Sequence, residues 1–463
     1  MLFRSLTVTG PGAIDPLYAM PGTWSFTASG GDSLVATVLD STGTPVRALT
    51  DGALVDSVTW DGLDDTGALL PVGSYTLDAT LSKGDSAVAT SSFPIELVRI
   101  GASEGTFGGD RLPLLWHRAG GPGGYVSDDG ESVTFALETL DDGVTPTPVP
   151  AVWDDLDEPP ATDVGVNLPA AYAWDSRPVL YLVIDGDIGA ATLGLRVSGW
   201  TVTGEVVPGR TVTLTKDDPL STGPGIVEDT LTLQWLAGDE VIGAESVPFR
   251  LYSLLGEPTF EETGVPYEPW LAVIDPALRA MGTTEPTDTA VISGLVAYIY
   301  DDLGLSYDTQ WGASAYTEYD WNTYDNAHFD LTAFLARSRG SVVNCTDCAS
   351  ILEAHANMLG AVLSYTIITP SFDLNYILAI GGDEYTHCPF GGSSCGFSYH
   401  AVTTPDDGNT IYDATLALDG DDDPGSAPNE VLMVEAIDGD EYLDRLVKRG
   451  RPDYVYTQKE TLQ

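Results

Sequence analysis

Short runs in which every second residue is apolar dominate residues 1–258 of this 463-residue chain, and they restrict its fold more than any other feature. In Ser74–Leu81 the apolar side chains are those at 75, 77, 79 and 81. This period of two is typical of a β-strand with one buried face, and turn residues separate the runs. The pattern predicts an all-β architecture of the sandwich type. The clearest predicted strands are Trp24–Ala28, Ser33–Leu39, Val55–Trp60, Ser74–Leu81, Val179–Ile184, Thr192–Val197, Thr211–Thr215 and Asp229–Trp235.

Three segments near the N-terminus carry a more specific pattern. Asp40–Leu49 reads DSTGTPVRAL, Thr59–Gly67 reads TWDGLDDTG, and Pro71–Tyr75 reads PVGSY. In this combination residues 20–98 resemble the immunoglobulin-like module of flagellar hook-capping proteins and of many secreted bacterial proteins. The resemblance implies an immunoglobulin-like β-sandwich domain over residues 1–98, in which these residues shape turns and core and carry no chemistry.

Residues 99–258 are also rich in predicted strands, and their irregular turns show no repeat. We expect a second β domain here, built either as one elaborated sandwich or as two small ones. The Pro- and Asp-rich stretch Val144–Asp163 is typical of a loop or linker.

The pattern changes after residue 258. Thr287–Tyr300 and Leu331–Ser338 have helical character, and strand-like segments follow them. Helices followed by strands indicate a third domain of the α+β class over residues 259–463.

A further helix is predicted from Cys345, whose apolar positions recur at steps of four and three. Asn344 suits its N-cap and Gly360 suits its C-terminal end. Cys345 would then lie in the first turn on the inward face, where free amide groups and the helix dipole favour a thiolate. The alternative is a small core cysteine at a helix start. The apolar stripe comprises Cys345, Ala349, Leu352, Ala356 and Leu359.

One histidine and one aspartate follow on a predicted β-hairpin. Gly396–Val402 and Thr410–Leu416 are the two strands, and the turn cluster Pro405–Asn409 joins them. Paired strands would bring His400 and Asp413 within hydrogen-bond reach. A thiol becomes a strong nucleophile when a base lies beside it and a third group orients that base. The order Cys, His, Asp therefore predicts a catalytic triad in a chain with only 4 Cys and 5 His.

These residues resemble the transglutaminase-like superfamily of papain-related cysteine enzymes, over roughly residues 285–435. Cys345, Asp347 and Ala349 match the family's helix-start motif, and His400 and Asp413 match its strand histidine and strand aspartate. The resemblance implies an α+β thiol domain with a Cys-His-Asp triad.

Two positions depart from the family pattern. Cys348 stands where the family usually has an aromatic residue, and Val402 replaces the usual tryptophan two positions after the histidine. The triad is intact, but the substrate pocket is expected to differ.

Acyl transfer through a thiol forms an oxyanion, which needs preorganised hydrogen-bond donors. The main-chain N–H of Cys345 is one candidate. Trp311 or Gln310 lies upstream at a distance that resembles that of the family's oxyanion-stabilising side chain. The alternative for Trp311 is a core or groove aromatic.

The remaining cysteines allow several pairings. A Cys388–Cys395 disulfide would close a Gly-rich loop just before His400, and it would leave Cys348 as a buried free thiol. A Cys345–Cys348 or a Cys348–Cys388 bridge is an alternative. A zinc site that uses these cysteines with His387 is another alternative, although the spacing is not that of a zinc ribbon. We predict no metal at the triad.

The charge of the chain excludes some partners. Asp and Glu number 69 against 19 Lys and Arg, so the formal net charge is −50 and the isoelectric point is about 4.1. Such a surface repels nucleic acid and anionic membranes. It is typical of a secreted or salt-adapted protein. Calcium binding in the turns Asp128–Glu131 and Asp419–Asp423 is an alternative use of the acidic residues, but neither turn follows the EF-hand pattern.

No run of 18 apolar residues predicts a membrane span, and the first ten residues are too polar for a signal peptide. The β-rich, Lys-poor character favours an exported bacterial protein, extracellular or on the cell surface. We expect a thiol enzyme that needs no cofactor and acts on protein or peptide substrates, either as an amidase or peptidase or as a transamidase. The alternative function is that of an inert structural or adhesive surface protein.

Overall fold

We used a computed structural model of the full chain. It describes residues 5–18, 20–112, 115–117, 125–127, 133–136, 170–259, 261–262, 269–318, 328–391, 395–405, 408–421, 430–456 and 461–462. The predicted linker Val144–Asp163 and the predicted turn Asp128–Glu131 lie outside these residues.

The first unit is a sandwich of two sheets, with strand orders β1-β3-β6 and β2-β8-β7-β4-β5. Between them lies a core in which Trp60 contacts Trp24 and Tyr75, with ring centroids 6.4 and 5.6 Å apart. The four strands predicted in this segment are present. The strands are β1 Ser5–Thr9, β2 Ala13–Ile14, β3 Gly22–Ser29, β4 Ser33–Leu39, β5 Pro45–Asp51, β6 Ser57–Trp60, β7 Gly73–Lys83 and β8 Ser86–Leu97.

The second unit is built on one ten-stranded sheet around a single hydrophobic core. The described strands of this sheet therefore share one core. The register shifts by a bulge between Val183 and Ile184 and between Trp235 and Leu236. The strands are β9 Arg99–Gly108, β10 Arg111–Leu112, β11 Leu115–His117, β12 Tyr125–Ser127, β13 Val133–Ala136, β14 Ala170–Ala173, β15 Val179–Asp187, β16 Leu193–Val197, β17 Trp200–Thr203, β18 Thr211–Lys216, β19 Gly225–Ala237 and β20 Glu240–Leu254.

The third unit contains all five α-helices of the described residues, together with short strands. The helices are α1 Leu271–Met281, α2 Asp288–Ala297, α3 Leu331–Leu335, α4 Cys345–Met358 and α5 Gly439–Leu446. The strands are β21 Glu261–Glu262, β22 Ser306–Tyr307, β23 Thr317–Glu318, β24 His328–Phe329, β25 Val342–Val343, β26 Ser364–Thr369, β27 Phe372–Leu374, β28 Ile377–Ala379, β29 Gly396–Phe397, β30 His400–Thr404, β31 Thr410–Asp419, β32 Val431–Asp438, β33 Val447–Arg449, β34 Asp453–Tyr456 and β35 Thr461–Leu462.

Helix α4 differs from the predicted amphipathic helix, because all 14 of its residues are buried. It packs against strands β26, β30 and β31 and also contacts α1 and α2. Its polar side chains can be buried because they form hydrogen bonds within the protein. His355, for example, bonds through Nδ1 to the Ile351 carbonyl at 2.7 Å, and burial lowers the pKa of this histidine to about 4.

The ends of the predicted helices are close to those observed. Thr287 is the N-cap of α2, and the segment continues through a single π turn at Tyr298–Asp302. Helix α4 begins at Cys345 after the N-cap Asn344. Gly360 follows its end with φ of 87°, and a Cβ there would lie 2.4 Å from the Gly256 nitrogen, so only glycine fits.

A buried charge cluster joins the second unit to the third. Asp275 of α1 accepts hydrogen bonds from the Tyr252 hydroxyl and from Arg279 Nε, the latter at 2.9 Å. Arg250 lies 4.0 Å from the same carboxylate and 2.8 Å from Glu228. The helical unit is therefore attached to strand β20 by polar contacts as well as by apolar packing.

We expect Asp275→Ala to lower the free energy of unfolding by about 3 kcal/mol, because removing one member of a buried ion pair leaves a desolvated charge with fewer partners. Urea unfolding followed by tryptophan fluorescence measures this change. The matched control is Glu205→Ala, since Glu205 pairs with Arg210 at 3.1 Å on the surface. We expect the control to cost less than about 1 kcal/mol. Equal losses in the two variants would contradict the prediction.

Candidate active site

The start of α4 is fixed by a capping box. The Asn344 side chain accepts a hydrogen bond from the Asp347 main-chain nitrogen at 3.0 Å, and the Asp347 carboxylate accepts one from the Asn344 nitrogen at 3.2 Å. Asn344 Nδ2 also donates to the Gly312 carbonyl at 3.0 Å. Cys345 thus has a defined position in the first turn, next to the segment that carries Gly312.

The Asp347 carboxylate also ties this helix start to a second segment. It is buried and accepts bonds from the Ser314 hydroxyl at 2.7 Å and from the main-chain nitrogens of Ala315, Tyr316 and Thr317 at 2.7 to 2.9 Å. A carboxylate with this many donors holds two segments in one arrangement. Asp347 therefore fixes the start of α4, and with it the position of Cys345, relative to the segment 314–317.

His400 and Asp413 lie on neighbouring antiparallel strands, β30 and β31. The distance between His400 Nε2 and Asp413 Oδ2 is 2.9 Å, and both side chains are buried. The Tyr442 hydroxyl donates to the same carboxylate oxygen at 2.7 Å, and the Thr415 nitrogen donates to Oδ1 at 2.7 Å. Asp413 is thus held from two sides in a position that orients the imidazole.

The environment of His400 favours the charged imidazolium. Burial lowers the pKa of His400, but the charge of Asp413 and its hydrogen bond outweigh burial and raise the pKa to about 10. Cys345 lies close enough to His400 to raise this pKa further. Phe397 stacks on the imidazole with centroids 5.3 Å apart and 16° between the planes, which fixes the orientation of the ring.

Cys345 is therefore the third member of this group. Nε2 of His400 bonds to Asp413, and Nδ1 is buried with no hydrogen-bond partner of good geometry among the described residues. Cys345 is a free thiol and is 4% exposed. The structure thus brings together the three residues that the sequence singled out.

Cys345 opens onto a cleft of about 360 Å³, a size typical of small-ligand pockets. Aromatic residues form much of the cleft wall. Its lining residues are Tyr307, Gln310, Trp311, Gly312, Cys345, Phe390, Gly396, Phe397, Ser398 and Tyr399.

Trp311 and Gln310 lie at the edge of this cleft. Trp311 is 77% exposed, so the core alternative for this residue is wrong and a groove position is observed. The Asp308 carboxylate accepts bonds from the main-chain nitrogens of Gln310, Trp311 and Ala313 at 3.0 to 3.1 Å. The turn that presents the two side chains is therefore well defined.

The structure joins Cys388 and Cys395 in a disulfide and leaves Cys345 and Cys348 free. His387, Cys388 and Cys395 form a group of metal-ligand spacing, but the two sulfurs are bonded to each other and offer no thiolates. Cys348 is buried, and burial raises the pKa of its thiol.

The described part of the turn Asp419–Asp423 ends at Asp421. The guanidinium of Arg445 donates to the carbonyls of Asp419 and Asp421 at 2.9 and 3.2 Å. These two carbonyl oxygens therefore accept hydrogen bonds from a cationic side chain.

Several residues of the site were not predicted from the sequence. The aromatic residues Tyr307, Phe390 and Phe397 come from three separate segments, and Tyr442 comes from α5. Their neighbours in the sequence differ from one to the next, so no shared local pattern marks them.

Comparison with known proteins identifies the N-terminal unit only. Residues 18–85 match the FlgD Ig-like domain family, in agreement with the two-sheet sandwich observed there. No curated protein matches the chain. Within the described residues, the helices are too short or too polar to cross a bilayer.

We expect Asp347→Ala to lower the free energy of unfolding by about 3 kcal/mol, because several buried donors lose a charged acceptor together. Denaturant unfolding checks this value. Asp288→Ala is the matched control, since Asp288 is also in the first turn of a helix but is exposed. The control variant should lower the free energy of unfolding by less than about 1 kcal/mol. A similar loss in both variants would show that Asp347 does not hold the start of α4 in place.

The pH dependence of stability provides a second test. Because the pKa of His400 is raised from 6.5 to about 10, its charged form stabilises the fold in full below pH 6.5, and this contribution declines as the pH rises through about 10. The difference in unfolding free energy between wild type and His400→Gln should therefore shrink from pH 6.5 to pH 10. A constant or growing difference would contradict the assignment.

Proposed function

We propose that residues 259–463 form a transglutaminase-like cysteine enzyme that attacks carboxamide or peptide carbonyls through Cys345, His400 and Asp413. The observation that carries the proposal is the convergence of these three side chains next to a cleft that Cys345 lines. The order of the residues and the placement of Cys345 at a helix start support the same family. The N-terminal match concerns another unit and is neutral on this point.

In the first step, the Cys345 sulfur attacks the carbonyl carbon. An S–C bond forms, the carbonyl becomes an oxyanion, and the C–N bond then breaks. His400 holds the thiol proton and gives it to the leaving amine or ammonia, and Asp413 stabilises the imidazolium. Nδ1 is the atom suited to this transfer, because Nε2 faces Asp413. The product is a thioester on Cys345.

In the second step, an acceptor attacks the thioester carbonyl and His400 removes its proton. Water gives a carboxylate and regenerates the thiol, which makes the protein an amidase or peptidase. An amine gives a new amide bond, which makes it a transamidase. The acidic surface would attract basic acceptors such as Lys-rich chains.

The oxyanion would be bound at the rim of α4. As the first residue of the helix, Cys345 has a main-chain N–H without an intrahelical acceptor. Gln310 and Trp311 line the same cleft and carry side-chain donors. We propose that one of them is the second donor.

We also propose that the protein is exported and acts outside the cell or on its surface. The disulfide, the acidic composition and the sandwich similar to a flagellar hook module support this location. In this arrangement the β units would present the thiol domain to protein or peptide substrates. The proposed triad requires no cofactor.

A structural or adhesive protein with an inert thiol domain is the second candidate. The burial of Cys345 favours it, because a catalytic thiol must be reached by its substrate.

Thiol labelling separates these candidates. We expect iodoacetamide to modify Cys345 at pH 6.5, well below the usual thiol pKa of about 8.5, because the charged His400 lies beside it. Peptide mass spectrometry measures the rate. His400→Ala should slow the reaction at least about tenfold, and Asp413→Asn should slow it less.

Cys348 is the internal control, since it is buried on the same helix and should stay unlabelled in the native protein. Denatured protein supplies the rate of an ordinary thiol. Labelling of native Cys345 no faster than this reference, or unchanged in His400→Ala, would reject the enzyme and favour the structural protein.

A further inference from the structure

The cleft beside Cys345 is lined by aromatic rings from several segments. Trp311 is an exposed aromatic residue of this lining. Phe390 contacts Tyr307 and Phe397 at centroid distances of 6.2 and 5.9 Å. Large exposed aromatic surface in a cleft is typical of a binding site.

The chain holds these rings in place. The Asp308 carboxylate fixes the turn that carries Trp311, and Asn344 bonds to the adjoining Gly312 carbonyl. Phe390 lies in the loop that the Cys388–Cys395 disulfide closes. Preorganised walls bind a ligand without an ordering cost.

The lining residues that the structure describes carry no carboxylate, ammonium or guanidinium group. This is notable in a chain with a net charge of −50. The nearby Asp308 is occupied with three main-chain nitrogens. A charged side chain would lose its hydration in this cleft without gaining a partner, whereas an aromatic one would gain ring contacts.

One wall also offers main-chain groups. Strand β29, Gly396–Phe397, is the outer strand of its three-stranded sheet and pairs only with β27 among the described strands. Both residues line the cleft. An extended peptide can bind such an edge by strand addition.

We propose that the acyl donor is an extended peptide with an uncharged aromatic side chain within the two residues that precede the attacked carbonyl. Trp311 and Phe390 are its specificity residues. This inference rests on the proposed function of Cys345 and adds the substrate class.

The test uses the full-length protein and peptide chloromethyl ketones, in which the Cys345 sulfur displaces chloride from the methylene carbon. Five probes differ only in the two residues before this carbon: two carry a Phe in one position or the other, and three carry Ala, Lys or Glu in both. The rate of Cys345 modification is measured by mass spectrometry and divided by its rate with iodoacetamide, which needs no binding. We expect the better Phe probe to react at least about tenfold faster than the Ala probe, and the Lys and Glu probes to react no faster than Ala.

Substitutions in the cleft wall test which residues cause the preference for the Phe probes. Trp311→Ala and Phe390→Ala should each reduce the Phe-to-Ala ratio, normalised to the iodoacetamide rate of the same variant, to about threefold or less. Trp311→Phe should keep the ratio, because it retains a ring and removes only the indole N–H. Tyr181→Ala, which removes an exposed aromatic of the second unit, is the control and should change nothing.

The outcomes distinguish this inference from the proposed function. Fast, His400-dependent labelling by iodoacetamide with equal rates for the Phe and Ala probes, or faster reaction of the Lys or Glu probe, would reject the aromatic specificity and leave the thiol enzyme standing. Slow labelling by every reagent would reject the enzyme itself. A Phe preference that survives both alanine variants would overturn the assignment of Trp311 and Phe390.

Discussion

The arrangement of the third unit depends on the buried carboxylate of Asp347. It accepts hydrogen bonds from the segment 314–317 and from Asn344, so that one side chain fixes both the first turn of α4 and the segment beside it. Burial makes this bonding obligatory, because an ionised carboxylate without donors is costly in the interior. These hydrogen bonds therefore fix the positions of Cys345 and of the cleft rim.

Asp413 has a corresponding role on the other side of the site. One of its oxygens faces His400 and Tyr442, and the other accepts from the Thr415 nitrogen of its own strand. The same carboxylate therefore shapes β31 and sets the charge of the imidazole. Since α4 packs directly on β30 and β31, the two anchored halves meet with their reactive groups facing each other.

The β units are joined to each other and to the helical unit by buried polar contacts as well as by apolar ones. The Asp15 carboxylate accepts a bond from the Ile100 nitrogen at 2.8 Å, between the first unit and the second, and Asp275 links the second to the third. Hydrogen bonds are directional, so they fix the relative orientation of the units more strictly than apolar packing alone does. Buried polar contacts thus connect all three units.

The sequence by itself determined the strands of the first unit and the N-cap and first residue of α4, and it singled out Cys345, His400 and Asp413 as candidates, because alternation, capping and rare residue types are local signals. It did not determine that α4 is buried on every side, that β9, β10 and β13–β20 share one ten-stranded sheet, or that Phe390, Phe397 and Tyr442 belong to the site. Those features arise from contacts between segments far apart in the chain. Only the tertiary structure brings them together, since an aromatic residue has the same local pattern in a core as at the wall of a cleft.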